Sequence, residues 1–376
     1  MRSYLDHAST SPTRPSAVTA LTAWFTAQPP AADPARLHHE GLVARVALEE
    51  AREQTAALLG ARPREVVFTS GATESIAMAT YGALGRDPAR RHVVLSAVEH
   101  SAVRDWAARG EATEVGVDRF GRVDPDELLG AVRSDTALVH LQWVNHEVGT
   151  IQPVDEVVTA CRERGVLVHV DAAQAVGRVP VDLSASGADL VSVSGHKFGA
   201  PPGTGVLLVR RGLRLPPLLV GGDQERARRA GMENVPALVG LGAAAAELAS
   251  TVDHEIDRVT GLGDRVRAWV DAEADLSVLG DPQHRSGHLV CVGIEGIEPQ
   301  PVLLGLDQHG VAVHSGSSCS SEALEPSPVL EAMGADASHS LRISLGWSST
   351  DADVDRLLEV LPGVLDGLRA MRRDPA

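Results

Sequence analysis

Six short, mostly β-branched runs, at 66–69, 93–96, 137–144, 166–171, 189–194 and 205–210, alternate with polar, helix-patterned stretches. Runs of four to eight such residues separated by helices predict a mostly parallel sheet covered on both faces. Sheets of this kind collect ligands at the carboxyl ends of their strands. Thr69, His100, Asn145, Asp171 and Ser194 all fall at that edge. Ahead of the first run, residues 44–59 read as an amphipathic helix, with Val46, Leu48, Ala51, Leu58 and Leu59 near a 3.6 repeat and Gly60 closing it.

The pattern changes near residue 250. A long helix over 251–274, strands at 290–294, 311–315 and 341–345, and a terminal helix from 351 to about 371 predict a smaller α/β domain. At 376 residues the chain is long enough for two cores. The expected division is 16–250 for a large domain, with 1–15 and 251–376 forming the small one. The alanine-rich stretch 243–249 predicts close helix packing rather than a linker.

A formal net charge of −16, from 34 basic and 50 acidic residues, repels phosphate backbones and anionic lipid. Direct nucleic-acid or membrane binding is therefore not expected. The N-terminus has no apolar signal region, no run approaches about 18 apolar residues, and the expected location is cytoplasmic. Three cysteines without a C-x-x-C pair fit a reducing compartment. Cys161 and Cys291 lie in periodic apolar patterns and are expected to be inert packing. Cys319 differs, because Ser315-Gly-Ser-Ser-Cys-Ser-Ser321 is too polar and too rich in Gly and Ser for a core element.

Three segments carry chemistry. Phe68-Thr-Ser-Gly-Ala-Thr-Glu-Ser75 reads as strand, glycine turn and helix start, which aims the backbone N–H groups at Ala72 and Thr73 and the Thr73 hydroxyl at one point, an anion site. Val168-His-Val-Asp171 ends a buried strand in a carboxylate, with Gln174 one helical turn on. Ser192-Val-Ser-Gly-His-Lys197 puts a lysine just past a strand end, beside Ser194 and His196. A buried amine able to form a Schiff base, a carboxylate one strand away and a thiol on a polar loop point to pyridoxal phosphate chemistry at sulfur. His100 is placed to stack on a planar cofactor and to handle protons. A metal site built from the histidines lacks ligand spacing and is not expected.

Taken in order, these segments resemble the group I (NifS/IscS-like) cysteine desulfurases of the aminotransferase class V family. The resemblance runs from Tyr4-Leu-Asp-His-Ala-Ser-Thr-Ser-Pro12 through Thr69-Ser-Gly-Ala-Thr-Glu74, Asp171-Ala-Ala-Gln174 and Ser194-Gly-His-Lys197. It ends at Ser315-Gly-Ser-Ser-Cys319 and Arg342-Ile-Ser-Leu-Gly346. It implies the fold type I architecture of pyridoxal phosphate enzymes, an α/β fold with a large domain built on a mostly parallel seven-stranded sheet plus a smaller C-terminal α/β domain. It also implies a homodimer that turns L-cysteine into L-alanine and passes sulfur to an acceptor protein, a scaffold or sulfur carrier. By resemblance Lys197 would hold pyridoxal 5'-phosphate, Asp171 would pair with its ring nitrogen, and His100 would stack on the ring. Ala72, Thr73, Ser194 and His196 would bind phosphate, and Gln174 would meet the ring hydroxyl. Arg342 would grip the substrate carboxylate, Asn145 and His146 would contact substrate, and Cys319 would take the sulfur.

Three positions depart from the family pattern. His146 stands where a second asparagine is usual, Met232 where a threonine would reach the partner subunit's phosphate, and Ala77 where an asparagine is common. The alternatives are another pyridoxal phosphate C–S lyase or aminotransferase, which would not need Cys319, or a non-catalytic assembly subunit.

Overall fold

The computed structural model describes residues 2–27, 33–180, 182, 185–315 and 326–373. After a short N-terminal strand β1 (Ser3–Tyr4), seven strands form the main sheet: β2 (Val66–Thr69), β3 (His92–Ser96), β4 (Glu111–Val115), β5 (Thr136–Gln142), β6 (Leu167–Asp171), β7 (Leu190–Ser194) and β8 (Gly205–Val209). Their order across the sheet is β2-β8-β7-β6-β5-β3-β4. Only β8 runs antiparallel to its neighbours, β2 and β7. The carboxyl ends of the other six strands therefore meet at one edge.

The expected runs all became strands, and β4 was not anticipated. Its sequence, Glu-Ala-Thr-Glu-Val, is mostly exposed at the sheet edge and carries no apolar signal. The other six strands are buried throughout. Alternation divides their side chains between two layers: Val66, Phe68, Val168 and Val170 enter one core, whereas Val67, Leu138, Leu167 and Leu207 enter the other. The first core is roofed by helices Pro15–Thr26, His39–Leu58 and Val235–Ala272, and the second by helix Ala72–Arg86.

The second unit is built on a four-stranded antiparallel sheet of β9 (Leu276–Leu279), β10 (Leu289–Ile294), β12 (His314–Ser315) and β13 (Ser340–Ser344). Beside it β11 (Val311–Ala312) pairs in parallel with β1. The expected single strand 311–315 is thus divided at Val313 between two sheets. Leu5, Val266, Val290, Leu306, Ile343 and Leu357 belong to one apolar cluster here, separate from the main core.

Helix Val235–Ala272 is 38 residues long and starts well before the expected position 251. The alanine-rich stretch continues the helix because small side chains let it lie against a neighbour: a Cβ on Gly242 would sit 2.6 Å from the Ala51 Cα. Leu238 and Leu248 from its first half enter the main core, and Val259 and Val266 from its second half enter the other. Among the described residues it is the one helix long and apolar enough to cross a bilayer, a reach the sequence had not suggested. Half of its most apolar window is buried against the protein.

Candidate active site

Strand register assembles the site at the carboxyl edge of the main sheet. Gln142 pairs with Asp171 and Asp171 with Ser192, while Ser194 and Thr69 both pair with Gly205. Gly205 is required by close approach, since a Cβ there would lie 2.4 Å from the Gly71 Cα. That contact sets the start of helix Ala72–Arg86 beside the strand ends, where first-turn N–H groups have no helical acceptor.

Lys197 sits in a single 3-10 turn, Gly195–Phe198, directly after β7. Its backbone is held from behind. Ser11 Oγ donates to the Lys197 carbonyl at 2.8 Å, Arg178 Nη2 donates to the same oxygen at 2.9 Å, and Arg14 Nε donates to the Phe198 carbonyl at 2.8 Å. The side chain points the other way, its Nζ donating to the Ala8 and Ser9 carbonyls, the latter at 2.7 Å.

These elements enclose a cavity of about 500 Å³. Of the residues expected from sequence, it is lined by Ala72, Thr73, His100, His146, Asp171, Gln174, Ser194, His196, Lys197 and Arg342. Asn145 is not on the wall. Its Nδ2 donates to the Val98 carbonyl, and its Oδ1 accepts the Glu147 and Val148 N–H groups, which fixes the turn that presents His146. Met232 is 64% exposed and also lies off the wall. Cys319 is outside the described residues. The sequence reading missed Ser9 and Gln142, both on the wall. Ser9 was visible only as part of the 4–12 motif, and Gln142 had no signal beyond ending a strand.

Burial tunes the charges. Lys197 is pushed down to about 8, chiefly by desolvation and then by the Arg342 guanidinium. Burial likewise holds His100 down near about 3 and His196 near about 4. Asp171 is raised by desolvation, against the Ala173 N–H it accepts at 3.0 Å. Behind it, Glu99 is pushed up to about 8 by burial, with one oxygen accepting the Gln142 N–H and the other without a partner among the described residues. Arg342 is 1% exposed and donates to the His146 carbonyl, Asp6 and Ser9, while its buried Nε–H has no acceptor among the described residues.

The donor set fits pyridoxal phosphate. An anion entering the cavity would find first-turn helix N–H groups, the Thr73 and Ser194 hydroxyls and His196 on its wall. A protonated ring nitrogen would relieve the buried carboxylate of Asp171, whose second oxygen has no partner among the described residues. The primary amine of Lys197 shares the same space. Among the described residues no group of three His, Cys, Asp or Glu side chains could hold a metal ion.

A family model described as aminotransferase class-V matches residues 3–357. A cysteine desulfurase from Gluconacetobacter diazotrophicus is 43% identical over 379 aligned positions, covering 98% of this chain and 94% of that protein. A cysteine desulfurase IscS from Methanosarcina thermophila is 41% identical, covering 98% of this chain and 93% of its own length. A solved structure described as a NifS-like protein superposes with a TM-score of 0.91 at 30% identity, covering 98% of this chain and all of that one.

Proposed function

The chain belongs to the aminotransferase class V family and is a cysteine desulfurase, and from this premise we propose how its own residues perform the reaction. The observation that carries the reading is the meeting of Lys197, Asp171, His100, Arg342 and an anion-binding helix start in one cavity. Pyridoxal phosphate, when bound, supplies an electron sink for an amino acid attached through its amine. Ala72, Thr73, Ser194 and His196 would hold its phosphate, Asp171 would keep its ring nitrogen protonated, and His100 would stack on its ring. Gln174 shares the pocket, with its Nε2 donating to the Ala8 carbonyl at 2.9 Å and its Oε1 facing His288 at 3.3 Å.

Lys197, pushed down to about 8 so that about half of it is uncharged at that pH, is the group that takes the Cα proton of L-cysteine and later returns a proton to the carbon skeleton. Arg342 orients the substrate through its carboxylate. The Cys319 thiolate attacks the substrate sulfur. An S–S bond forms as the Cβ–S bond breaks, leaving a persulfide on Cys319 and releasing alanine, and the terminal sulfur then passes to an acceptor protein. The other two thiols do not suit this role. Cys161 is buried and pushed up to about 11, and Cys291 is raised further by complete burial.

The active form is a homodimer in the cytoplasm. Phe25, Leu37, Val46, Val220 and Met232 are exposed apolar residues available to a second copy, with Met232 standing where the family's threonine would reach the partner's phosphate.

The test is intact-mass analysis after incubation with L-cysteine in the absence of reductant, together with alanine release. Added sulfur should appear on Cys319 and not on Cys161 or Cys291, and Cys319→Ser should release no alanine. Full turnover in Cys319→Ser would favour a C–S lyase. A protein that takes up no pyridoxal phosphate would remove the reading altogether.

A further inference from the structure

Gln174 and His288 belong to different units and meet at the back of the cavity wall. Gln174 lies just past β6 in the main sheet and is on the wall. His288 directly precedes β10 in the smaller unit, is buried and is not on the wall. Two hydrogen bonds fix the Gln174 amide. One terminal atom lies 2.9 Å from the Ala8 carbonyl oxygen, and the other 3.3 Å from His288 Nε2. A carbonyl only accepts, so the atom facing Ala8 is the amide nitrogen and the atom facing His288 is the amide oxygen. His288 must then donate from Nε2. Its Nδ1 is bonded to the Ser286 hydroxyl, and a neutral ring has a single N–H, so Nδ1 accepts the hydroxyl proton. The chain thus has one direction, from Ser286 through His288 and Gln174 to Ala8.

The imidazole is kept neutral and in place. Burial first, then the positive fields of Arg178 and Arg267, hold it well below the ordinary histidine range. Its backbone is pinned on both sides. The Leu345 N–H donates to the His288 carbonyl at 2.8 Å, and Arg267 Nη2 donates to the Ser286 and Leu289 carbonyls at 3.0 and 2.7 Å. A Cβ on Gly287 would lie 2.6 Å from the Thr260 Cα, so the turn carrying His288 lies directly against helix Val235–Ala272. The Gln174 amide has no such support of its own, because the terminal torsion of a glutamine is soft. Its nitrogen shares the Ala8 carbonyl with the Lys197 ammonium. Without the His288 N–H, the amide oxygen would be left with a donor to find, and that ammonium is within its reach.

We propose that His288 is a positioning residue for the cofactor: by holding the Gln174 amide oxygen from behind, it presents the second amide N–H to the ring hydroxyl of pyridoxal phosphate and keeps the amide oxygen off Lys197. The inference rests on the pyridoxal phosphate reading. The amide nitrogen carries two N–H groups, and Ala8 takes one of them. The other favours the ionised form of a ring hydroxyl, whereas an amide oxygen turned to the same place would oppose it. The link also joins the two units, since a group of the smaller one sets a side chain of the main sheet. Gln174 is correctly set only while the turn before β10 is seated against it.

Two measurements decide it. In long-range nitrogen–proton spectra of the cofactor-free protein labelled at histidine nitrogen, His288, assigned by its loss in His288→Gln, should show a protonated Nε2 and a bare Nδ1. The opposite tautomer overturns the proposal whatever the activity. In titrations with pyridoxal phosphate followed by absorption, His288→Leu should weaken binding by about 10-fold or more. It should also shift absorption from the band of the ionised ring hydroxyl to that of the protonated one. Gln174→Leu should show the same loss, and the double variant no further one, because both remove a single contact. His288→Gln, which keeps an N–H at the reach of Nε2, should restore affinity and spectrum. A folded His288→Leu protein with wild-type affinity and spectrum refutes the role, as does a loss that adds in full to that of Gln174→Leu. Where His288→Leu does not fold, a His288→Gln protein that binds as weakly as Gln174→Leu refutes it. A wild-type protein that takes up no pyridoxal phosphate refutes the underlying reading instead, whichever tautomer His288 shows.

Discussion

Removing the Arg342 guanidinium should cost substrate affinity, and the structure sets both the size and the signature of the loss. Arg342 is 1% exposed and carries five N–H donors, of which one on Nη1 goes to the His146 carbonyl at 3.0 Å and the two on Nη2 go to Asp6 and Ser9. Its Nε is buried out of reach, so an arriving carboxylate takes the second Nη1 N–H, which no described residue accepts, and can take another by displacing Asp6, held at 3.2 Å in a single contact. Hydrogen bonds to charged groups contribute about 1.5–3 kcal/mol. Arg342→Ala should therefore raise KM for L-cysteine by roughly 10- to 150-fold, at 1.4 kcal/mol per decade, with a smaller change in kcat. The control is the cysteine methyl ester, which has no carboxylate. Wild type should bind the ester as weakly as the variant binds cysteine, and the variant should treat acid and ester alike. If Arg342→Ala penalises the ester as severely as the acid, the loss is structural and the carboxylate contact is not the cause. A thermal melt separates the two effects further, because truncation also removes the cationic partner of Asp6 and leaves its carboxylate with the Ser9 hydroxyl.

Two further outcomes follow from burial. Lys197 is depressed to about 8, so the rate at which the cofactor-free protein captures pyridoxal phosphate should climb about tenfold per pH unit below that value and level off above it, followed by the growth of visible absorption. A rate that keeps rising to pH 10 would show an ordinary exposed lysine. Glu99 is raised from its ordinary 4.5 to about 8, so the folded protein holds a proton there that the unfolded chain has lost. Its contribution to stability is present at low pH and falls as pH rises from about 4.5 through about 8, and Glu99→Gln should flatten that part of a denaturant-midpoint against pH curve. An unchanged slope in the variant would place the responsible group elsewhere.

The strands were legible because burial on both faces leaves uninterrupted apolar runs, and the residues at their carboxyl ends then had to meet at one edge. Asp171 and Lys197 were readable for the same reason, each being a charged group where an apolar run stops. β4 escaped because an edge strand half in water has no need of apolar residues. Asn145 was misplaced because sequence adjacency to His146 says nothing about which side chain turns inward. In the structure the amide caps three backbone groups and the neighbouring imidazole faces the cavity. Glu147 accepts the hydroxyl of Ser327, 180 positions away, a contact that no local pattern reveals.

The N-terminal segment is what makes one site out of two units. β1 pairs with β11 in the smaller unit, and the chain then runs along β13, with the Ala8 N–H donating to Ser344 Oγ at 2.8 Å. Within the next few residues it reaches the main sheet, where the Ser11 N–H bonds the His196 carbonyl at 3.0 Å and the Arg14 N–H bonds the Gly199 carbonyl at 2.8 Å. Between those two anchorages lie Ala8 and Ser9, whose carbonyls take the Lys197 ammonium and whose serine hydroxyl takes Arg342. Arg14 closes the arrangement from behind, donating to Phe198 and pairing at 2.7 Å with Glu255 on the helix common to both cores. A buried pair of this kind adds little net stability over an apolar contact, but breaking it strands a charge. Its evident consequence is registry. Any slip of the smaller unit against the sheet would move Arg342 relative to Lys197, and the segment from Asp6 to Arg14 ties the two to the same few residues of backbone.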